Sequence, residues 1–357
     1  MGKGEVMNSK ERITLALRHK EADRVAIHDA PWFTAIRRWR KEGLPEWTEP
    51  QDYFHYEMEG VGADASFQLP TKILEETNEY TISQASTGAT HKNWKNQTST
   101  PECIDFLIKD RKTWEEYKPK LAMNKMRFDW LTAKNVYERA RDKGRFFHFS
   151  CGAGYDMIQA MMGSERLLIA IAEEPEWVKD MMKSMTEILI AVAEEMMSVF
   201  KFDGIFFYDD MGYRNASLFS PSAYREIFFP YHKRACDFFK SKGLPIILHS
   251  CGCVKGLIPM LIEAGFTCLQ PLEVKAGMDL IELKKTYGDK LAFMGGIDVR
   301  KMKDPDPNVI EEEIKTKITF AKKGGGYIYH SDHSVPDDIS FDQYKRVIEL
   351  VHKYGRF

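Results

Sequence analysis

The sequence carries almost no net charge. Its 51 Lys and Arg are balanced by 53 Asp and Glu, leaving −2 at pH 7, so no global field favours nucleic acid or an anionic membrane surface as a partner. Long apolar runs are missing, and none approaches the length needed to span a bilayer. The opening Met-Gly-Lys-Gly-Glu lacks the apolar centre of a secretory signal. Cysteine is sparse, with six in 357 residues, scattered without the regular spacing of a disulfide framework. Free thiols in a reducing compartment are expected, which points to the cytoplasm. Repeats, low-complexity tracts and linker-like stretches are absent too, so a single domain over residues 1–357 is the expected organisation.

Hydrophobic residues make up 43% of the chain, enough for a large core. Asn8 and Glu11 form a capping-box pair that starts a first helix. Short β-rich runs then recur at residues 24–29, 63–68, 146–150, 204–209, 245–249, 267–271, 291–295 and 327–330. Helix-length amphipathic stretches separate the later ones. Strands alternating with helices predict a parallel sheet, and a count near eight favours a closed (β/α)₈ TIM barrel over an open doubly wound sheet. Residues 71–120 break the rhythm and read as a β-hairpin and loop insertion, with a polar stretch over residues 93–100. The helix after Pro175 carries Trp177, Met181, Met185, Ile188, Leu189, Val192, Met196 and Val199 on one face, a pattern of core packing. Tyr344, Val347, Val351 and Tyr354 mark the packed face of a C-terminal helix after Ser340.

The chemistry concentrates at the predicted strand ends, where reactive residues of such barrels sit. The fifth strand ends in His249-Ser-Cys251-Gly. Side chains at i and i+2 of a strand share a face, so His249 and Cys251 can converge on one metal, and imidazole plus thiolate suits Zn²⁺. The fourth strand ends in Tyr208-Asp209-Asp210, the sixth in Gln270-Pro-Leu-Glu273, the seventh in Gly295-Gly-Ile-Asp298 and the eighth in His330-Ser-Asp332-His333. Glu273 is the carboxylate candidate for a displaceable ligand. His330 and His333 cannot share a face if the strand continues through both, and His333, further into the loop, is the expected ligand. For Asp209 and Asp210 three readings stand: a loop cap, a substrate contact, or a brace for a ligand histidine. Cys253 is expected to start a helix and point away, and Cys268 to lie in the core; Cys103, Cys151 and Cys236 have no ligand spacing. Trp32, Phe33, Phe206, Tyr208 and Tyr213 near the strand ends suit either ring stacking or packing.

These motifs, with Gly325-Gly-Tyr-Ile, resemble the uroporphyrinogen decarboxylase superfamily over most of the chain, most specifically from Asp203 onward. The resemblance implies a (β/α)₈ barrel and one of two activities. Tetrapyrrole decarboxylases carry an Arg-Gln-Ala-Gly-Arg-Tyr motif after the first strand; here the region reads His28-Asp-Ala-Pro-Trp-Phe-Thr-Ala-Ile-Arg37-Arg38, and the motif is absent. Corrinoid-linked methyltransferases share a His-x-Cys pair plus a distant third cysteine as zinc ligands. His249 and Cys251 match the pair and Glu273 matches a carboxylate of that family, but His333 stands where the third cysteine is expected. Decarboxylases also carry a histidine in that loop, so His333 does not separate the branches by itself.

The resemblance implies a zinc-dependent methyltransferase working with a corrinoid (cobalamin) on a separate protein, and replacement of one thiolate by a neutral imidazole, which leaves more positive charge on the metal, points to a small methoxylated or N-methylated molecule as the methyl donor. The implied metal ligands are His249, Cys251, Glu273 and His333. Asp209, Asp210 and Asp332 would orient the substrate or hold a ligand histidine. A uroporphyrinogen decarboxylase-like carboxy-lyase, a methylcorrinoid:thiol methyltransferase and a non-catalytic binding barrel are the competing expectations.

Overall fold

The computed structural model describes residues 7–95, 101–152 and 154–357; the opening pentapeptide and part of the polar stretch at 93–100 lie outside them. Among the described residues, twelve strands form two sheets. The parallel one contains β1 (Ala26–Ile27), β2 (Met58–Gly62), β7 (Phe146–Gly152), β8 (Gly204–Tyr208), β9 (Ile246–His249), β10 (Cys268–Gln270), β11 (Ala292–Met294) and β12 (Tyr327–Tyr329). Its order is β1-β12-β11-β10-β9-β8-β7-β2, the curled eight-stranded sheet of a (β/α)₈ barrel, as the alternation of elements predicts. Glu57 closes the ring between β1 and β2: its N–H donates to the Ile27 carbonyl at 2.9 Å, and its carboxylate accepts the Ile27 N–H at 2.6 Å. Arg12 and Arg24 pair with this fully buried acid.

Two expected elements are corrected. The second barrel strand is Met58–Gly62, and residues 63–68 form a loop. The true strand hides because it carries two glycines and Glu59, an acid that reads as solvent-facing but is buried against Arg139 and Arg145. The insertion is a four-stranded antiparallel sheet, β3 (Lys72–Glu76), β4 (Tyr80–Gln84), β5 (Thr90–Trp94) and β6 (Glu102–Asp105), rather than one hairpin. Its outer strands β3 and β6 are exposed at every position, so they lack the alternation of a half-buried strand.

Strand periodicity explains where the chemistry ends up. Ala26, Met58, Phe146, Phe206, Ile247, Cys268, Ala292, Met294 and Ile328 point inward and pack with Ile13, Ala16 and Leu17 of the helix Ser9–Leu17. That helix, opened by the expected Asn8–Glu11 capping box, plugs the N-terminal end of the barrel. Two residues further along seven of the eight strands the same inward face carries His28, Gly60, His148, Tyr208, His249, Gln270 and His330. The outer layer of helices packs on the opposite face. The Met-rich face of Pro175–Val199 is buried there as expected, except that Val199 is 57% exposed. Tyr344, Val347 and Val351 of Phe341–Gly355 are buried, and Tyr354 packs partly buried against the same core. Among the described residues, no helix is long and apolar enough to cross a membrane.

Candidate metal centre

His249 and Cys251 converge as the i, i+2 spacing predicts. His249 Nε2 lies 3.4 Å from Cys251 Sγ. Nitrogen and sulfur ligands on a tetrahedral zinc stand about 3.6 Å apart, given Zn–N near 2.0–2.1 Å and Zn–S near 2.3 Å. Two donor groups share Cys251: Asp210, His249 and Cys251 form one, and Cys251, Glu273 and His333 the other, with ligand atoms within 4.8 Å of one another in each. Each of the other three expected metal ligands thus stands near Cys251, His249 in one group and Glu273 and His333 in the other. Asp210 joins them: its Oδ1 accepts the Cys251 N–H at 2.8 Å and lies 3.4 Å from His249 Nε2.

The electrostatics favour a cation. Burial pushes the Cys251 thiol well up, and the neighbouring carboxylates of Asp210 and Glu273 push it further. Burial also lowers the His249 pKa, which keeps its imidazole neutral. A thiol held protonated by two acids is the state that a bound metal reverses, by displacing the proton and taking the thiolate. The donor set of thiolate, imidazole and carboxylate fits Zn²⁺.

Two of the three carboxylates expected near the reactants have other work. Asp209 turns to the outer face of β8 and is fully buried. Its Oδ1 accepts the Asp156 N–H at 2.8 Å at the start of the helix Tyr155–Met162, and its Oδ2 lies 3.0 Å from His232 Nε2. Asp332 accepts the N–H groups of Val274 and Val299, each at 2.9 Å. It clasps the loops after β10 and β11, and so fixes the backbone beside Glu273. Both are corrections to a reading of strand-end acids as reactant-facing; the outward parity of Asp209 and the backbone donors around Asp332 are the reasons. Cys253 does not start a helix: it is buried and pairs with Tyr213 across an isolated bridge. Cys268 lies in the barrel interior, as expected.

A cavity of about 360 Å³ opens over the inward layer, lined by His28, His148, His249, His330 and His333, with Trp32, Phe206, Tyr208, Gln270 and Cys251 among the other walls. Half of the chain's ten histidines thus face one space, and no Lys or Arg is among its described lining residues. Burial takes His148 down to about 3 and His28 well below the ordinary range, the latter with smaller contributions from nearby positive groups. Burial thus holds the His28 and His148 imidazoles neutral. A second, more open cavity of about 530 Å³ lies on the other side of Cys251, lined by Tyr213, Arg214, Glu273 and Lys275. The expected aromatics divide accordingly: Trp32, Phe206 and Tyr208 wall the inner cavity, Tyr213 the outer, and Phe33 is 63% exposed and lines neither. His148 lies outside the motifs, and His28 and Gln270 stand in them without a role of their own; the inward parity of their strands is the signal that finds all three.

The sequence profile of the family described as uroporphyrinogen decarboxylase (URO-D) matches residues 147–354, more than half of the chain. The chain belongs to the uroporphyrinogen decarboxylase family. Its matched part runs from β7 to the C-terminal helix and contains every proposed ligand. A uroporphyrinogen decarboxylase from Bacillus cereus is 29% identical over 136 residues, 37% of this chain and 36% of that protein. The enzyme of the same name from Vesicomyosocius okutanii is 27% identical over 79 residues, 22% of this chain and 23% of that one. The chain thus spans about a third or less of the length of these curated relatives. Among solved structures, a methyltransferase from Methanosarcina mazei superposes with a TM-score of 0.64 at 13% identity, covering 98% of this chain and 99% of that one. At that identity the likeness is one of fold.

Proposed function

We propose that this family member is a zinc-dependent methyltransferase that moves a methyl group from a small methoxylated or N-methylated molecule to a corrinoid on a separate protein. The observation that carries the reading is the pairing of a cavity without lysine or arginine in its described lining with a thiolate-poor donor set at its wall. A substrate bearing several carboxylates needs cations to receive it, and the lining of the inner cavity offers imidazoles and rings instead. That is the specific argument against the carboxy-lyase reading, despite the names of the curated relatives.

His249, Cys251, His333 and one carboxylate, Glu273 or Asp210, would hold the metal. Zinc bound there supplies a Lewis acid for the oxygen or nitrogen that must leave the methyl carbon. A single thiolate leaves more positive charge on the metal than two would, which suits a leaving group better than a thiol acceptor. Trp32, Phe206 and Tyr208 flank the space a small flat donor would occupy. In the overall reaction the carbon–oxygen or carbon–nitrogen bond breaks with its electron pair retained by the heteroatom. The cobalt(I) of the corrinoid supplies the pair for the new bond to carbon.

The test is methylation of free cob(I)alamin by phenyl methyl ethers and N-methyl amines with the purified protein, followed spectroscopically. Formation of methylcobalamin, abolished by a chelator and restored by Zn²⁺, is expected. Chelator-insensitive transfer, transfer only to thiols, or loss of carbon dioxide from a porphyrinogen would each refute it.

A further inference from the structure

A chain of hydrogen bonds runs behind His249 across three further strand ends, and with His330 as neutral imidazole one polarity satisfies every link. The Ser331 carbonyl can only accept, and His330 Nδ1 lies 2.6 Å from it, so His330 carries its proton on Nδ1. Its Nε2 then presents a lone pair, 3.3 Å from Gln270 Nε2. An amide NH₂ is the group that can donate to it. Flipping the amide would set its oxygen against that lone pair. The Gln270 oxygen therefore faces His249 Nδ1, with which it hydrogen-bonds. An oxygen acceptor requires the proton of His249 on Nδ1.

The far end of the chain is anchored. Ser331 donates to Asp29 through Oγ at 2.6 Å and through its N–H at 3.4 Å, and Tyr344 donates to the same carboxylate at 2.8 Å. Asp29, Gln270, His330, Ser331 and Tyr344 are all buried. The ordering thus passes from β1 through β12 and β10 to the ligand on β9, with no element free to rotate.

We propose that Gln270 is a positioning residue that locks His249 in the tautomer whose Nε2 lone pair points at the metal position beside Cys251. This rests on the metal reading for its consequence, though not for its geometry. The partner of a ligand histidine's other ring nitrogen fixes the ring and raises its basicity, and losing it costs about 10–100-fold in metal affinity. The sequence motif Gln270-Pro-Leu-Glu273 thereby contributes twice to the centre, with a ligand candidate at one end and the orienting amide at the other.

The experiment is nitrogen-15 NMR of the histidine rings in the metal-free wild type, with His249 assigned by its loss in His249→Gln. Zn²⁺ affinity is measured in parallel by competition with a chelator. Wild type should show His249 protonated on Nδ1 alone. Gln270→Met, which neither donates nor accepts, should mix the tautomers and weaken Zn²⁺ binding by about 10–100-fold. Gln270→Glu keeps an oxygen for Nδ1 and should keep the tautomer. A wild-type proton on Nε2, or a Gln270→Met protein with unchanged tautomer and affinity, overturns the proposal. If Gln270→Met does not fold, the wild-type and Gln270→Glu spectra decide. A wild type with the expected tautomer but no Zn²⁺ binding would sink the metal reading and leave the orienting role standing.

Discussion

Cys251 Sγ and a ring nitrogen of His333 lie within 4.8 Å of each other and of a Glu273 oxygen, although they follow β9 and β12, two strands that do not touch. Strand β10 pairs with β9 and β11 with β12, so only the curvature of the sheet brings the two ligands over one point. The metal reading depends on that closure more than on any local motif.

Metal content tests it directly. Wild-type protein is expected to hold one Zn²⁺, and Cys251→Ala and His333→Ala to lose it. Cys253→Ala, altering a buried thiol outside the donor groups, should retain it. Elemental analysis of the four proteins decides, and equal zinc in all would end the assignment. The affinity should also rise with pH, because the metal must displace the proton that burial and the two carboxylates hold on Cys251.

Adjacent acids should behave oppositely. Asp209→Asn disturbs the cap of the helix Tyr155–Met162 and the contact with His232. It should cost about 1–3 kcal/mol in chemical denaturation while leaving bound metal unchanged. Asp210, with its side chain 42% exposed, should do the reverse: Asp210→Asn weakens metal binding with little loss of stability. A stability loss at Asp210 alone would invert the roles given to this pair.

Gly60 keeps the inner cavity open. A Cβ there would sit 2.1 Å from His148 Cε1, so Gly60→Ala must push the imidazole toward the cavity. Overpacking of this kind costs about 1–3 kcal/mol, and binding of small aromatic ethers should weaken with it. Calorimetric melting and ligand titration check both parts; unchanged values would mean that His148 has room to move elsewhere.

The Asp156 contribution to stability should fall with rising pH in the metal-free protein, opposite in sign to the contributions of the buried His28 and His148, which rise with pH up to the ordinary histidine range. Burial, then the charges of Asp210 and Asp209, raise Asp156 from 3.8 to about 7. Between these values the unfolded chain releases a proton that the folded state keeps, so folding weakens across that window and levels above it. Asp156→Asn removes this falling contribution, so it should gain more stability than wild type between pH 5 and pH 7.5 and be the more stable protein at neutral pH. Denaturation of both proteins at the two pH values tests the sign, and a wild type that gains as much as Asp156→Asn over this interval would contradict it.

The alternation of strand and helix determined the barrel, and a two-residue period was enough to put His249 and Cys251 together at a strand end. Those are local properties, fixed by backbone geometry wherever the strand lies. The strand Met58–Gly62 was hidden because its acid, Glu59, is buried by arginines distant in sequence, and β3 and β6 because full exposure leaves no hydrophobic pattern. Which strand-end acids meet the metal was also beyond the sequence. Asp209 and Asp210 are neighbours in the chain, yet one is turned into the helix layer and the other toward Cys251. Burial, ring closure and the one-way hydrogen bonds from Asp29 to His249 depend on contacts between distant segments, and only the folded barrel decides them.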